Sequence, residues 1–346
     1  MTVQPSSPLW TPSQPDSTQT ARFREAVNNK YGLALKTYED LHTWSIDHRA
    51  DFWDSVWDFE EVIGTKGSGR VVDESARPRD NPVWFEGAEL NWAENQLRHA
   101  KTHPDDIAII QTSEPCEVYS PEPKRVTQRE LVQLVGAAQR AMEGAGLGKG
   151  DRVAWYGGNC LEAVVVLLAA ASLGAVFSSA AADFGVDGVV ERLEQVSGDE
   201  SLGVRGGKLN DVQIRPKLLF VTNAVVYAGT PRPLLPLLHK LLGSLTSPPS
   251  QTVIIPHLPF DIAPVPSDLE GTVKLDDFID TSSTALPVYK PVGFNDPIWI
   301  LFSSGTTGKP KAIVHRAGGM LLDSLREHHI AGDISRGDVY FYYTTP

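Results

Sequence analysis

A short apolar segment between two strand-like segments constrains the fold of this chain more than any other feature. Residues 163–171 contain only Ala, Val and Leu, and Gly174 follows as a helix stop. This run is much shorter than the ~20 residues that a membrane-spanning helix needs, so it predicts a buried helix. Residues 152–156 before it and 175–177 after it have the composition of strands. A buried helix between two such strands predicts a βαβ unit with parallel pairing.

The same alternation continues along the chain. Asn159 and Glu162 predict the N-terminal cap of the buried helix. Further elements follow it: a helix at 185–196, a strand at 217–221, a helix at 234–242, a strand at 252–255 and a strand at 297–302. Residues 197–211 interrupt the series with four glycines and mixed charges, which predicts a surface insertion. The alternation predicts an α/β fold with a doubly wound, mostly parallel sheet.

The part of the chain before this sheet predicts two different segments. Residues 1–20 are mostly Ser, Thr, Pro and Gln, which predicts a flexible N-terminal arm that Trp10 could dock on the body. Residues 21–100 predict a helical docking segment, and 101–346 predict the first part of the α/β domain. Within the docking segment, aromatic residues alternate with acids: Trp44, Phe52, Trp53, Trp57 and Phe59 with Asp47, Asp51, Asp54 and Asp58. This pattern predicts amphipathic helices whose aromatic side packs on the body.

Residues 107–145 predict a strand, a hairpin and a helix. Residues 107–111 read as the strand, and residues 116–119 with 124–126 as the hairpin. Thr127 and Glu130 form a capping box that predicts the helix. The glycine-rich stretch after this helix has Lys149 where a dinucleotide fingerprint needs its third glycine, so we interpret it as a turn.

Composition excludes several classes of function. A net charge of −12 and a pI near 5.2 argue against a nucleic-acid partner, which needs a basic face. Two cysteines cannot form a disulfide framework, which indicates a reducing compartment. The first basic residue is Arg22, so no secretory or transit peptide is expected. Together these features predict a cytoplasmic enzyme with no membrane span.

The segment that carries chemistry is a polar loop between the apolar runs 297–302 and 312–314. Its glycines allow close approach of a ligand oxygen to backbone N–H groups, and its hydroxyls and lysines bind and neutralise phosphate. The candidate phosphate-binding residues are Ser303, Ser304, Gly305, Thr306, Thr307, Gly308, Lys309 and Lys311. Only two residues separate the glycines, and Pro310 follows the first lysine, so a Walker A loop is excluded and a strand is expected next. A polar hairpin turn between two buried strands is the alternative.

Residues 303–315, SSGTTGKPKAIVH, resemble the signature loop of the acyl-adenylate-forming superfamily. That resemblance implies that the loop holds the β- and γ-phosphates of ATP while a carboxylate attacks the α-phosphorus. Residues 84–95 resemble the WFxGxxLNxxxN segment of the acetyl-, propionyl- and acetoacetyl-CoA synthetases. Residues 315–319 and 342–345 are similar to the VHxAGG and YTT stretches of the acetoacetyl-CoA synthetases.

Residues 181–189 resemble the PDFGVNGV stretch of the same synthetases, with Ala182 in place of Pro and Asp187 in place of Asn. The resemblance implies that Asp183, Phe184 and Gly185 contact CoA, and a plain helix N-terminus is the alternative. His315, His328 and His329 are not assigned as general bases, because local spacing gives none of them a carboxylate partner.

The resemblance as a whole implies an acetoacetate–CoA ligase that uses ATP, Mg²⁺ and CoA and forms an acetoacetyl-adenylate. A ligase for another short acid such as acetate or propionate is one alternative, and a noncatalytic nucleotide-binding or interaction fragment is another. The adenine and ribose contacts, the acidic residue associated with Mg²⁺ and the lid domain with its lysine follow this region in the family. We therefore expect the α/β domain to be incomplete and the chain to be inactive as given, with no catalytic residue or metal ligand assigned within it.

Overall fold

The computed structural model describes residues 10–194, 196–197, 212–259, 269–303, 310–342 and 344. The first nine residues, most of the glycine-rich insertion and the centre of the polar loop, 304–309, lie outside the described residues. Within the described part of the chain, no helix is both long enough and apolar enough to cross a membrane.

The α-helices of the described residues are α1 (Gln19–Tyr31), α2 (Tyr38–Asp47), α3 (Arg49–Phe59), α4 (Trp92–Leu97), α5 (Gln128–Gly144), α6 (Leu161–Ser172), α7 (Val186–Glu194), α8 (Leu238–Ser244), α9 (Leu275–Phe278) and α10 (Ala317–Leu325). A π-helical segment, Arg326–Ala331, continues α10.

The strands are β1 (Gly64–Thr65), β2 (Glu89–Leu90), β3 (Ile107–Gln111), β4 (Lys124–Thr127), β5 (Arg152–Gly157), β6 (Val176–Ala181), β7 (Val196–Ser197), β8 (Val212–Gln213), β9 (Leu218–Thr222), β10 (Ala224–Tyr227), β11 (Thr230–Pro233), β12 (Gln251–Ile255), β13 (Thr272–Lys274), β14 (Val292–Gly293), β15 (Pro297–Ser303) and β16 (Lys311–Arg316).

The central sheet has the strand order β13–β12–β9–β5–β6–β15–β16. All its pairs are parallel except β15 with β16, which are antiparallel. The chain moves from β5 to β6 on one side and then returns to place β9 on the other side of β5. This reversal is characteristic of a doubly wound sheet, so the predicted α/β fold class is confirmed.

Each central strand contributes to both faces of this sheet. Val153 and Trp155 of β5 lie in one buried cluster, with α5, α6 and the N-terminal helices. Ala154 and Tyr156 of the same strand lie in a second cluster, with α7 and α8. Because side chains alternate along a strand, a strand covered on both faces is apolar at every position. This is why residues 153–156 form a continuous apolar run and not an alternating one.

The helices α1, α2 and α3 confirm the predicted amphipathic segment. Phe23 of α1 is fully buried against the rings of Phe52 and Phe59, at centroid distances of 5.7 and 5.3 Å. The structure of the N-terminal arm differs from the prediction in two respects. A helical turn at Pro15–Ser17 and the start of α1 lie within residues 1–20, and Trp10 is 78% exposed instead of docked.

Two local predictions were wrong because partners distant in sequence determine the structure. The partner of β4 is β3, while residues 116–119 form only an isolated bridge. Helix α6 begins after Cys160 without a side-chain cap, and its Leu161 N–H donates to the side chain of Gln111. Asn159, the expected cap, instead donates to the carbonyl of Thr344 at 2.6 Å. The capping box before α5 is confirmed.

Candidate functional site

The carboxyl ends of the parallel strands define the candidate site. Strands β5, β6 and β15 are neighbours and run in one direction, so the segments after Gly157, Ala181 and Ser303 leave the sheet at the same edge. In open α/β sheets, ligands bind in the crevice outside this edge. The polar loop and the segment at 183–185 follow adjacent strands, and the fold therefore brings together the two regions singled out in the sequence.

Strands β15 and β16 form a hairpin whose open end carries the polar loop. Ser303 pairs with Lys311, so a hydroxyl and an ammonium group flank the point where the loop begins and ends. Lys311 is exposed, which leaves its charge accessible to an anion. The expectation of a strand after Pro310 is confirmed. The remaining predicted phosphate-binding residues lie outside the described residues and stay predictions: Ser304, Gly305, Thr306, Thr307, Gly308 and Lys309.

Asp183, Phe184 and Gly185 form the short connection between β6 and α7. Tyr156 of β5 holds this connection, because its hydroxyl donates to the carbonyl of Phe184 at 2.9 Å. Burial, with a smaller effect from Asp183, raises the pKa of Tyr156 to about 12, so this hydroxyl keeps its proton at neutral pH. The segment does precede a helix, which fits the alternative interpretation, and the contact with CoA stays a prediction.

Arg192 joins these two regions and was not found from the sequence. Its guanidinium lies 3.8 Å from the ring centroid of Phe184 and 5.7 Å from that of Phe302, the residue before Ser303. Its Nη1 donates to the carbonyl of Gly188 at 2.7 Å. Burial lowers the pKa of this arginine from its usual value, and its Nε is buried with no partner among the described residues. Sequence could not reveal the stack, because Phe302 is far from α7 along the chain.

The histidines that we did not assign as bases have partners elsewhere. Nδ1 of His329 lies 2.9 Å from Oε1 of Glu60 at the end of α3. The hydrogen bond with Glu60 raises the pKa of His329 above its usual range. His315 lies beside the ring of Trp299, 6.1 Å between centroids, and burial lowers its pKa. Neither imidazole lies at the carboxyl edge of the sheet that carries the polar loop.

Two asparagines of the segment 84–95, Asn91 and Asn95, have structural partners. Asn91 caps α4 by accepting the N–H of Glu94 at 3.2 Å. Asn95 exchanges hydrogen bonds with the backbone of Ile63, at 2.8 and 2.9 Å. These two asparagines of the segment therefore cap α4 and attach the segment to the body.

Comparison with known families gives the class of protein. The profile described as "AMP-binding enzyme" matches residues 97–346, and the one described as "Acetyl-coenzyme A synthetase N-terminus" matches residues 38–96. The chain belongs to the AMP-binding enzyme family.

The relatives that the chain matches are named as acyl-CoA synthetases. The acetoacetyl-CoA synthetase of Rattus norvegicus is 38% identical over 345 residues, covering 97% of this chain and 47% of the relative. The malonamoyl-CoA synthetase vrtB of Penicillium aethiopicum is 36% identical over 343 residues, covering 97% and 44%. The solved acetoacetyl-CoA synthetase of Streptomyces lividans matches with a TM-score of 0.83 and 33% identity, covering 98% of this chain and 48% of that one. The predicted resemblance to acetoacetyl-CoA synthetases is confirmed, and the chain spans about half the length of the curated relatives it matches.

Proposed function

We propose that this chain supplies the phosphate-binding part of an acid–thiol ligase that converts acetoacetate, ATP and CoA into acetoacetyl-CoA, AMP and pyrophosphate. Membership of the AMP-binding enzyme family supports the ligase class. The relatives named acetoacetyl-CoA synthetase support the substrate.

The observation that carries the proposal is the pairing of Ser303 with Lys311 at the open end of the β15–β16 hairpin. The pairing brings the two ends of the loop together, and Gly305 and Gly308 are residues whose backbone N–H groups a phosphate oxygen can approach closely. The hydroxyl and the exposed ammonium at its base fit the oxygens of a triphosphate in chemistry and in charge.

The chemistry requires activation because a carboxylate delocalises its charge and resists nucleophiles. Attack of the carboxylate oxygen on the α-phosphorus of ATP forms a mixed anhydride with AMP and expels pyrophosphate. The loop would stabilise the charge that develops on the departing pyrophosphate, and one preorganised donor in such a role supplies ~2.7–4 kcal/mol. The thiol of CoA then attacks the acyl carbon, and AMP leaves.

Asp183, Phe184 and Gly185 are the residues that we assign to CoA. Their segment follows the strand next to β15, so a nucleotide lying on it would be adjacent to the adenylating loop. Arg192 would keep the two segments in register, because its guanidinium contacts both Phe184 and Phe302.

Mg²⁺ would neutralise part of the triphosphate charge when bound. Among the described residues, no group of three or more His, Cys, Asp or Glu side chains is placed to hold a metal ion. We therefore assign no ligand of this chain to the metal, and the steps above use only the loop, its hydroxyls and its lysines.

The acid itself is expected to carry a carbonyl group at its third carbon. Acetoacetate has a methyl ketone there, and malonamate, the acid named in the Penicillium relative, has an amide of nearly the same shape. This similarity favours a β-carbonyl acid over the unsubstituted acids acetate and propionate, which stay the alternatives.

The test compares two preparations: the 346-residue chain, and a chimera in which the remaining sequence of the Streptomyces lividans protein follows it. Pyrophosphate release is measured with acetoacetate, malonamate and acetate, and acyl-CoA formation with CoA added. In the chimera, Lys309→Ala with Lys311→Ala is expected to slow pyrophosphate release by about a hundredfold or more. The thermal midpoint should change little, because Lys311 is exposed and charged loop residues rarely support a core. An unchanged rate in this double variant would contradict the assignment of the loop, and a preference for acetate would contradict the substrate.

A further inference from the structure

A cavity of about 370 Å³ lies at the edge of the sheet opposite the polar loop. Residues from α3, the segment before α4, the end of β16 and the start of α10 line it, and we call it the aromatic cavity. Strand β16 runs from Lys311 at the loop to Arg316 at the cavity, roughly 17 Å at ~3.4 Å per residue. The aromatic cavity is therefore separate from the proposed adenylating site.

The walls of the aromatic cavity are two pairs of rings. Trp53 and Trp84 meet edge to face, with centroids 6.4 Å apart and planes at 82°. Phe85 and Phe294 stack, with centroids 4.6 Å apart and planes at 30°. Cavities of this size lined by rings and a few polar groups are typical small-molecule sites. Such walls favour a planar guest, since ring pairs prefer offset or edge-to-face contact.

Phe85 adopts a backbone conformation that is unusual for an aromatic residue. Its φ is +43°, in the left-handed region that favours glycine. Two backbone hydrogen bonds hold it there: its N–H donates to the carbonyl of Val71 at 2.7 Å, and its carbonyl accepts from Ala88 at 2.9 Å. Backbone strain of this kind is concentrated at binding and catalytic sites. Here it places the Phe85 ring on the cavity wall.

In the aromatic cavity, the guanidinium of Arg316 is held by neutral groups. Arg316 is half-buried, and its guanidinium donates to Pro82 O at 2.6 Å, Asn295 Oδ1 at 3.0 Å, and Asn81 O and Oδ1 at 3.2 and 2.6 Å. All four acceptors are neutral. In the described part of the chain no carboxylate forms an ion pair with Arg316, and its Nε has no hydrogen-bond partner there.

Two other polar side chains face the same space. His315 has no hydrogen bond to either ring nitrogen within the described ranges, and burial lowers its pKa, so it is neutral at pH 7. A neutral imidazole can donate one hydrogen bond and accept another. Asp323 also lines the aromatic cavity, but its carboxylate accepts from Arg326 Nη2 at 2.9 Å. Arg326 also pairs with Glu327 at 2.8 Å, and within the described residues Asp323 forms no ion pair with Arg316.

We propose that the aromatic cavity is a binding site for a small planar aromatic anion, with its ring between the aromatic walls and its anionic group at Arg316 and His315. The rigid hydrogen bonds of the guanidinium fix its position before binding, which reduces the entropy lost when the anion is held.

The probe for this proposal is 4-fluorobenzoate, and its neutral analogue 4-fluorobenzamide is the control ligand. Binding to the 346-residue chain is measured from the broadening of the ¹⁹F resonance in a titration. The variant Gly319→Leu fills the aromatic cavity; a Cβ at that glycine would meet only Arg316 Cβ, at 3.9 Å, so the fold should be retained. The matched control is Gly243→Leu in α8, where a Cβ would meet nothing within 4 Å and which does not line the cavity.

We expect the carboxylate to bind about tenfold more tightly than the amide, because only the carboxylate pairs with Arg316. Gly319→Leu should weaken its binding about tenfold or more, and Gly243→Leu should leave it unchanged. Arg316→Gln should remove the preference for the carboxylate. Equal binding of acid and amide, undiminished binding to Gly319→Leu, or no broadening in the native chain would each overturn the proposal. Undiminished binding would place the probe elsewhere, including at the acyl site of the proposed ligase.

Discussion

Substitutions at Asn91 can separate the contribution of a helix cap from that of a buried hydrogen-bond donor. Asn91 is 2% exposed and uses both ends of its amide. Its Oδ1 accepts the N–H of Glu94 at 3.2 Å, which caps α4. Its Nδ2 donates to the carbonyls of Ala171 and Ser172, both at 3.1 Å, and of Lys290 at 2.8 Å. The first two carbonyls belong to the last turn of α6 and also accept backbone N–H groups, Ala171 O from Gly174 at 3.0 Å and Ser172 O from Lys290 at 2.9 Å.

The structure gives a magnitude for each function. Asn91→Ala removes the cap, worth ~1 kcal/mol. It also leaves the part-buried carbonyl of Lys290 without its side-chain donor, which costs ~1–3 kcal/mol. We therefore expect the free energy of unfolding to fall by about 3 kcal/mol. Asn91→Asp keeps the cap but replaces the donor with a carboxylate that faces three carbonyl oxygens. An unpaired buried charge is costly, so Asn91→Asp should lower the free energy of unfolding by about 3–5 kcal/mol, more than Asn91→Ala does.

Urea unfolding of the native chain and both variants measures these free energies. The control is Thr37→Ala, which removes an exposed cap, that of α2, and should cost only ~1 kcal/mol. A variant Asn91→Asp that is more stable than Asn91→Ala would refute the reasoning, because the cap would then outweigh the donor.

Three further predictions concern other parts of the chain. Gly318→Ala should lower the free energy of unfolding by ~1–3 kcal/mol, because its Cβ would lie 2.1 Å from the ring of Phe294. Gly319→Ala should leave it unchanged, and the thermal midpoints of the two variants measure the difference. His329 has a raised pKa, so its pairing with Glu60 stabilises the fold fully below about pH 6.5, and this stabilisation is lost as the pH rises through the raised pKa. In urea titrations at several pH values, Glu60→Gln should therefore reduce the pH dependence of the free energy of unfolding. An unchanged pH dependence would contradict the prediction. Replacing residues 198–210 by a short turn should leave the unfolding midpoint unchanged, since β7 and β8 already pair; insoluble protein would show that the insertion packs on the body.

The sequence predicted the elements whose signals are local. The unit from Arg152 to Phe177 was predicted correctly because strand composition, an apolar helix and a glycine stop all lie within one stretch. The capping box of Thr127 and Glu130 is equally local. The β10–β11 hairpin was not predicted from the sequence. Its turn has Ala228 and Gly229 at positive φ, whereas Asn-Gly would have been a recognisable turn signal. The prolines in β11 also argue against a strand.

Features of the candidate site that join distant segments could not be predicted. The polar loop and the segment at 183–185 were found as motifs, but their adjacency follows from the β6–β15 pairing. The position of Arg192 between Phe184 and Phe302 depends on the same pairing. Similarly, Asn81 and Pro82, which accept hydrogen bonds from Arg316, lie more than two hundred residues from it along the chain. The local sequence around Arg316 therefore shows only a charged residue at the end of a strand.

The attachment of residues 81–95 to the body has a consequence for how such chains can be divided. The two family profiles meet at residues 96 and 97, yet hydrogen bonds cross that boundary from Arg316 to Asn81 and between Asn295 and Trp84 in both directions. A gene fusion or a protease that cut at this point would separate donors from acceptors on both sides. The boundary therefore separates two regions of sequence similarity, but neither region on its own would keep these hydrogen bonds.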